Sequence, residues 1–158
     1  MNLEERLKIL TKEAESEYLN IMGHKPKYKS INLDKAKSRW GCCKHKKDGN
    51  HITIASRLVE NYSDKEIKTT ILHEFIHTEK DCHNHQRWWK FYARKFDQLG
   101  YNIQRCSNRE EIGEPVEYKY QVKCSKCNTV IKRTKLCKVV QHPEWYRCGV
   151  CGGELKRI

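Results

Sequence analysis

The segment His73-Glu74-Phe75-Ile76-His77 contains the residue types that a zinc hydrolase uses, at the spacing that a helix requires. Two histidines four positions apart lie one turn above each other on the same face of an α-helix. Both imidazoles can therefore bind one Zn²⁺, while Glu74 reaches a water in the open coordination position. The segment predicts metal-assisted hydrolysis. The alternative is a pair of partly buried polar histidines on an ordinary core helix.

The helix that must carry this segment is itself visible in the sequence. Apolar residues recur at helical spacing from Ile67 to Ile76. Ser63 and Glu66 have the spacing of a capping box, in which each side chain bonds the backbone N–H of the other residue. We therefore expect a helix that begins just after Ser63 and includes both histidines.

A catalytic zinc takes three protein ligands and leaves one position open. The candidates for the third ligand are His83, His85 and Cys82. We favour His85, because it directly precedes an amphipathic helix over residues 86–99 and would be held rigidly at its N-terminus. His83 then lies beside the site or at the surface. His83 or Cys82 as the true third ligand remains the alternative.

The helix over 86–99 is rich in aromatic residues, and Gly100 ends it. We expect Trp89 and Phe91 to pack it into the core. The spacing from His77 to His85 is eight, whereas the metzincin pattern has a spacing of six with a glycine midway. The sequence therefore does not indicate a metzincin.

A second group of metal-ligand residue types lies near the C-terminus. Cys124-x-x-Cys127 and Cys148-x-x-Cys151 each place two thiolates at one tight turn, and two such turns close a tetrahedral four-cysteine site. This pattern predicts structural zinc in a zinc ribbon, with short strands at 130–131 and 139–140. A disulfide framework or a redox motif is the alternative, although the odd count of nine cysteines disfavours it. Cys137 could compete as a ligand but has no partner at the same spacing.

The remaining elements form the scaffold. Apolar residues from Leu3 to Met22 follow helical spacing, and Gly23 ends that helix. Residues 30–40 and 51–56 are predicted as strands, joined across residues 44–50, where Asp48-Gly49 is typical of a turn.

Taken together, HEFIH followed by His85-x-x-x-Trp89 resembles the SprT-like zinc metalloprotease family. The segments 38–42 and 52–55 resemble the strand pair that precedes the active helix in that family. The Arg-Trp-Gly part of segment 38–42 is also similar to YgjP-type predicted metal-dependent hydrolases. Gln86 departs from the family pattern, in which glycine commonly follows the third histidine.

The resemblance implies an α+β fold with a zincin-like metalloprotease domain over 1–112 and a four-cysteine zinc ribbon over 113–158. It implies one catalytic zinc held by His73, His77 and His85, and one structural zinc held by the four knuckle cysteines. Glu74 would act as general base in peptide hydrolysis. By analogy with zinc proteases, the strand 52–56 is the expected edge for an extended peptide substrate.

The charge distribution is typical of a protein with a polyanionic partner. The net charge is +12, and residues 115–158 contain ten Lys or Arg against three Glu. Aromatic residues interleave with these cations, as on nucleic-acid-binding surfaces. A solvated face on a lysine-rich protein is the alternative. The resemblance favours DNA, since some family members act on proteins crosslinked to DNA.

Composition also suggests where the protein works. The N-terminal residues lack the apolar core of a signal peptide, and no apolar run approaches the length of a membrane helix. Free thiols suited to zinc then indicate a cytoplasmic protein with no membrane partner. Two other functions remain open: a zinc-dependent hydrolase of a non-peptide substrate, and a non-catalytic nucleic-acid-binding zinc protein.

Overall fold

The computed structural model of the 158-residue chain describes residues 1–105 and 117–158. The chain divides into two compact units, the first over Met1–Arg105 and the second after it. The boundary that we predicted, between residues 112 and 113, lies outside the described residues. Each unit combines helix with one three-stranded sheet, so the fold is of the mixed α+β class.

Helix α1 (Leu3–Met22) opens the first unit and buries its apolar face in the core. The Asn2 side chain accepts a hydrogen bond of 2.7 Å from the Glu5 N–H, which caps the first turn. Gly23 has a φ of 78° and donates its N–H to the Leu19 carbonyl. Glycine adopts this left-handed conformation at no steric cost, and the predicted glycine cap is confirmed.

The first sheet contains β1 (Ser30–Asp34), β2 (Gly41–Lys46) and β3 (Gly49–Ala55), in the order β1-β3-β2. Strand β1 runs parallel to β3, and β2 runs antiparallel to it. The strand β3 therefore lies in the centre, and β2 has a free edge among the strands of the described residues. Our expectation that residues 52–56 form the substrate edge is wrong, because which strand is unpaired depends on long-range pairing that alternation does not report.

The predicted strand over 30–40 is also too long. It ends at Asp34, whose side chain accepts a hydrogen bond of 3.0 Å from the Ala36 N–H and turns the chain. The predicted connection 44–50 is correspondingly too wide. Only Lys47 and Asp48 form the turn, and the residues before them belong to β2.

Helix α2 (Ser56–Asn61) leads into α3 (Asp64–Ile76), which contains most of the His-Glu segment and ends with His77 as its C-cap. The predicted capping box is confirmed: the Ser63 hydroxyl accepts from the Glu66 N–H, and the Glu66 carboxylate accepts from the Ser63 N–H. One face of α3 forms the centre of the core. Its fully buried apolar residues are Ile67, Ile71, Leu72, Phe75 and Ile76.

Helix α4 (Arg87–Lys95) continues into a 3-10 turn over Phe96–Leu99 and ends at Gly100, whose φ is 75°. Trp89 is 2% exposed, as predicted, but Phe91 is 50% exposed, so its assignment to the core is wrong. The core-facing pair is Trp89 and Ala93 at helical spacing. Phe91 follows Trp89 by two positions, which places it on the opposite side of the helix.

The second unit has the strands β4 (Tyr120–Cys124), β5 (Val130–Arg133) and β6 (Leu155–Arg157), in the order β5-β4-β6 with antiparallel pairing. The strand predicted at 130–131 is therefore present. Residues 139–140, also predicted as a strand, belong instead to α5 (Lys138–Gln141). Two adjacent valines carry no periodicity, so their β propensity was outweighed by the local fold.

No helix among the described residues is both long and apolar enough to span a membrane.

Candidate metal centres

Three histidines from two parts of the first unit converge. His73 and His77 lie one turn apart at the C-terminal end of α3, and His85 lies just before α4. Their Nε2 atoms are separated by 3.3 Å (His73–His77), 3.1 Å (His77–His85) and 2.9 Å (His73–His85). The structure therefore brings together the three histidines that the sequence analysis favoured.

These separations fit a zinc ion. Ligand nitrogens at the usual Zn–N distance of about 2.0–2.1 Å on a tetrahedron lie roughly 3.3 Å from each other. Three nitrogen lone pairs that face one another at 2.9–3.3 Å repel unless a cation or a proton lies between them. The donor set leaves room for a fourth ligand, as a hydrolytic site requires.

The backbone orients two of the imidazoles. The Nδ1 atom of His73 lies 2.9 Å from the Gln104 carbonyl oxygen, and the Nδ1 atom of His77 lies 2.6 Å from the Cys82 carbonyl oxygen. A carbonyl only accepts hydrogen bonds, so each Nδ1 carries the proton and each Nε2 presents its lone pair to the centre. Backbone acceptors leave no signal in the sequence, so the residue types did not predict either of these two hydrogen bonds.

The environment keeps these rings neutral. Burial, together with the neighbouring imidazoles, lowers the pKa of His73 to about 3, and burial chiefly lowers that of His77 to about 4. Burial likewise lowers the pKa of His85. Neutral imidazole is the form that binds a metal, so the histidines are ready as ligands near neutral pH.

Trp89 supports all three ligands from one side. Its ring centroid lies 4.7 Å from those of His73 and His85 and 5.8 Å from that of His77. Because Trp89 is buried in the core, it restricts the rotamers of the histidines that it contacts.

The two alternative third ligands lie elsewhere. His83 is exposed, and its ring packs edge-on against His45 at a centroid distance of 4.0 Å. Cys82 is buried in the hydrophobic core and contributes its carbonyl to His77. Neither belongs to the group of side chains whose ligand atoms converge among the described residues.

Glu74 lies next to His73 on α3 and is only 5% exposed. Burial raises the pKa of its carboxyl to about 8, while the positive charge of Arg39 and a hydrogen bond from the Cys43 N–H act in the opposite direction. A buried carboxyl of this kind holds or releases a proton near neutral pH, and a nearby cation favours the ionised form. Arg39 also pairs with Asp34 at 2.6 Å.

The segment between α3 and His85 is tied to the rest of the first unit by buried polar contacts. The Tyr18 hydroxyl on α1 donates a hydrogen bond of 2.6 Å to Glu79, and both residues are buried. The Thr78 hydroxyl accepts from the Lys27 N–H at 3.1 Å. These contacts, which the sequence did not indicate, fix the start of the loop that leads to the third histidine.

The second unit brings together Cys124, Cys127, Cys148 and Cys151, with all four Sγ atoms within 4.8 Å of one another. Two Sγ–Sγ distances are 3.5 Å (Cys124–Cys151) and 3.6 Å (Cys127–Cys148). A tetrahedral Zn–S₄ site with bonds of about 2.3 Å has sulfur atoms roughly 3.8 Å apart. The geometry therefore fits a closed structural zinc site.

Local hydrogen bonds favour the thiolate form of Cys124 and Cys127. The N–H groups of Cys127 and Lys126 point at the Cys124 sulfur at 3.5 and 3.4 Å, and they lower the pKa of that thiol. The side chain and backbone of Thr129 lower the pKa of Cys127 to about 6. At Cys151 the Gly153 N–H acts in the same direction, but contacts with the other cysteines outweigh it and raise the pKa of that thiol to about 11. Cys137, the competing candidate, is the N-cap of α5 and is not part of the converging group found among the described residues.

Comparison with known proteins gave one positive finding. The sequence profile of the SprT-like family matches residues 7–109, which is well over half of the chain. No curated protein matches the chain significantly.

Proposed function

The chain belongs to the SprT-like family, and on this premise we propose that it is a zinc-dependent metallopeptidase whose first unit has a zincin-like fold. Membership indicates a metallopeptidase-type hydrolase. The observation that carries the proposal is the convergence of three Nε2 atoms at the end of the helix that also carries the buried Glu74. His73, His77 and His85 would hold the catalytic zinc, and the four knuckle cysteines would hold a structural one.

In this mechanism a bound zinc ion supplies Lewis acidity, which activates a water near neutral pH and polarises the scissile carbonyl. Glu74 accepts the proton of the attacking water and later passes it to the leaving amine. The first step needs an ionised carboxyl. Burial opposes this ionisation, and the charge of Arg39 and the Cys43 N–H act against the effect of burial. The carbonyl acceptors of His73 and His77 keep the ligand nitrogens unprotonated.

The direct test compares the wild type with Glu74→Gln on an unfolded, fluorescently labelled protein. We expect the variant to keep its zinc and to lose activity by a factor of about 10²–10⁴, since a general base contributes that much. Wild-type cleavage that survives in Glu74→Gln would contradict the mechanism. Activity of the wild type only on nucleotides or esters, in a parallel panel, would favour the non-peptide hydrolase.

For the second unit we propose nucleic-acid binding, so that the peptidase acts on DNA-bound proteins. The described residues 117–158 contain ten Lys or Arg against three Glu. Trp145 is 66% exposed and stacks on His142 with a centroid distance of 4.0 Å and an interplanar angle of 10°. An exposed, pre-oriented aromatic pair in a unit rich in Lys and Arg is suited to stacking on unpaired bases.

This second proposal has its own test. Anisotropy of a labelled single-stranded DNA should show weaker binding for Trp145→Ala, by about 1–3 kcal/mol if a base stacks there. Val150→Ala is the matched control, since Val150 is also highly exposed and apolar. Equal affinity of both variants and the wild type would contradict the stacking role.

Cleavage of a DNA-bound basic protein, with and without single-stranded DNA, connects the two proposals. Stimulation by DNA in the wild type, absent in Trp145→Ala, would support a peptidase tethered through its second unit. Cleavage that is indifferent to DNA would retain the peptidase and reject the tether. DNA binding without any cleavage would favour a non-catalytic binding protein.

A further inference from the structure

Gly41, the first residue of β2, lies directly against the Glu74 side chain. A Cβ atom placed on Gly41 would be 2.6 Å from Oε1, 2.8 Å from Cγ and 3.0 Å from Cδ of Glu74. A Cβ atom essentially never lies within 3.0 Å of a heavy atom outside its own and the adjacent residues. The Glu74 carboxyl therefore occupies the space that a side chain at position 41 would fill.

The requirement for glycine here comes from crowding and not from the backbone. Gly41 does not have a positive φ, unlike Gly23, Gly49, Gly100 and Gly152. Alanine could thus adopt the backbone conformation of Gly41 without strain. Only its methyl group would have no room.

Neither element around this contact can move away easily. Gly41 pairs with Ile54 and Cys43 pairs with Ile52, and both isoleucines of β3 are fully buried. On the other side, α3 is held by a fully buried apolar face. The long Glu74 side chain is the part with rotatable bonds, so it would yield first.

The same strand also holds the carboxyl from a second side. The Cys43 N–H donates a hydrogen bond to Glu74. Cys43 lies two positions after Gly41 on β2, so both residues face the same side of the pleated strand. The strand thus provides both the space for the carboxyl and a donor that orients it.

We infer that Gly41 is a positioning residue for Glu74: β2 sets the place of the catalytic carboxyl through the absence of a side chain at Gly41 and the N–H of Cys43. The catalytic part of this inference depends on the proposed peptidase function. The structural coupling between the two residues does not depend on it.

The experiment is a double-mutant cycle with Gly41→Ala, Glu74→Ala and the double variant, all loaded with zinc. In otherwise wild-type protein we expect Gly41→Ala to lower kcat by about 100-fold with little change in KM, because a shift of about 1 Å in a catalytic group has that effect. Zinc content should be unchanged. Gly41→Ala should also lower the melting temperature in the presence of Glu74 but not in the Glu74→Ala background.

Gly149→Ala is the control for glycine replacement as such, since Gly149 has no positive φ and a Cβ atom placed on it would have no neighbour within 4 Å. It should change neither kcat nor the melting temperature. The inference is overturned if Gly41→Ala keeps the wild-type kcat and melting temperature, or if it destabilises both backgrounds equally. If the wild type cleaves no peptide bond, the proposed function fails, and the melting temperatures of the cycle still decide the coupling.

Discussion

The Nδ1 atom of His73 lies 2.9 Å from the carbonyl oxygen of Gln104, although 31 positions separate the two residues. The contact joins the last described segment of the first unit to the helix that carries the His-Glu motif. It fixes the tautomer of His73, because the carbonyl can only accept. The metal-binding face of one histidine thus depends on a backbone group far away in sequence.

The choice of third ligand gives the first prediction. His85→Ala should remove one zinc ion per chain and abolish peptide cleavage, because two histidines without the third bind zinc far more weakly. His83→Ala is the control, since His83 is exposed and contacts His45 outside the converging group. Zinc per chain, measured by mass spectrometry of the purified variants, distinguishes the two. Loss of zinc in His83→Ala but not in His85→Ala would show that the assignment is reversed.

The four-cysteine site gives the second prediction. Cys127→Ser should lose one zinc ion per chain and unfold the second unit, whose buried core is small and includes Cys124 and Cys148. Cys137→Ser should retain the ion and the fold, as Cys137 lies outside the converging group. Zinc content and protease sensitivity of the second unit measure both effects. A stable second unit in Cys127→Ser would mean that the metal is not its main source of stability.

The third prediction concerns the buried hydrogen bond between Tyr18 and Glu79. Tyr18→Phe should destabilise the protein by about 1–3 kcal/mol, because it leaves the buried Glu79 carboxyl without its 2.6 Å donor. Tyr28→Phe is the matched control: Tyr28 donates a similar hydrogen bond of 2.7 Å to Glu15, at a partly buried position. We expect a loss of about 1 kcal/mol or less there. Urea denaturation measures both, and equal losses would show that burial of the pair is not what matters.

The fourth prediction is a pH dependence in the metal-free protein. The pKa of Glu74 is about 8 in the fold against an ordinary value of 4.5, so between these values the folded state holds a proton that the unfolded state releases. Stability should therefore fall as the pH rises from about 5 to 8, by about 1.4 kcal/mol per pH unit for this group.

Glu74→Gln removes this contribution, since the amide does not titrate. Its stability relative to the metal-free wild type should therefore increase as the pH rises toward 8. Comparing the two proteins cancels the contributions of the other titrating groups to the pH dependence of stability. These groups include His73 and His77, whose lowered pKa values destabilise the fold as the pH falls. Melting temperatures of both chelator-treated proteins between about pH 5 and 8 test it. A constant difference across this range would contradict a perturbed Glu74.

Several elements could be read from local patterns alone. The capping box at Ser63 and Glu66 and the glycine caps at Gly23 and Gly100 were correct, since each depends on contacts within a few residues. The predicted strand boundaries around residues 34–41 and the predicted burial of Phe91 were wrong. They depend on a side-chain turn at Asp34 and on which side of α4 faces the core, and neither follows from residue type.

The sequence by itself determined the chemistry of both candidate centres. The spacing of His73 and His77 on a helix, and the paired cysteine knuckles, fix which atoms can share a metal because helix and knuckle geometry are local. Tertiary structure alone decided that β3 lies between β1 and β2 in the described sheet and that Gln104 and Cys82 orient the histidines. It also decided that Gly41 provides the space for Glu74. These features arise where segments distant in sequence pack together, and backbone groups or absent side chains leave no pattern that sequence can show.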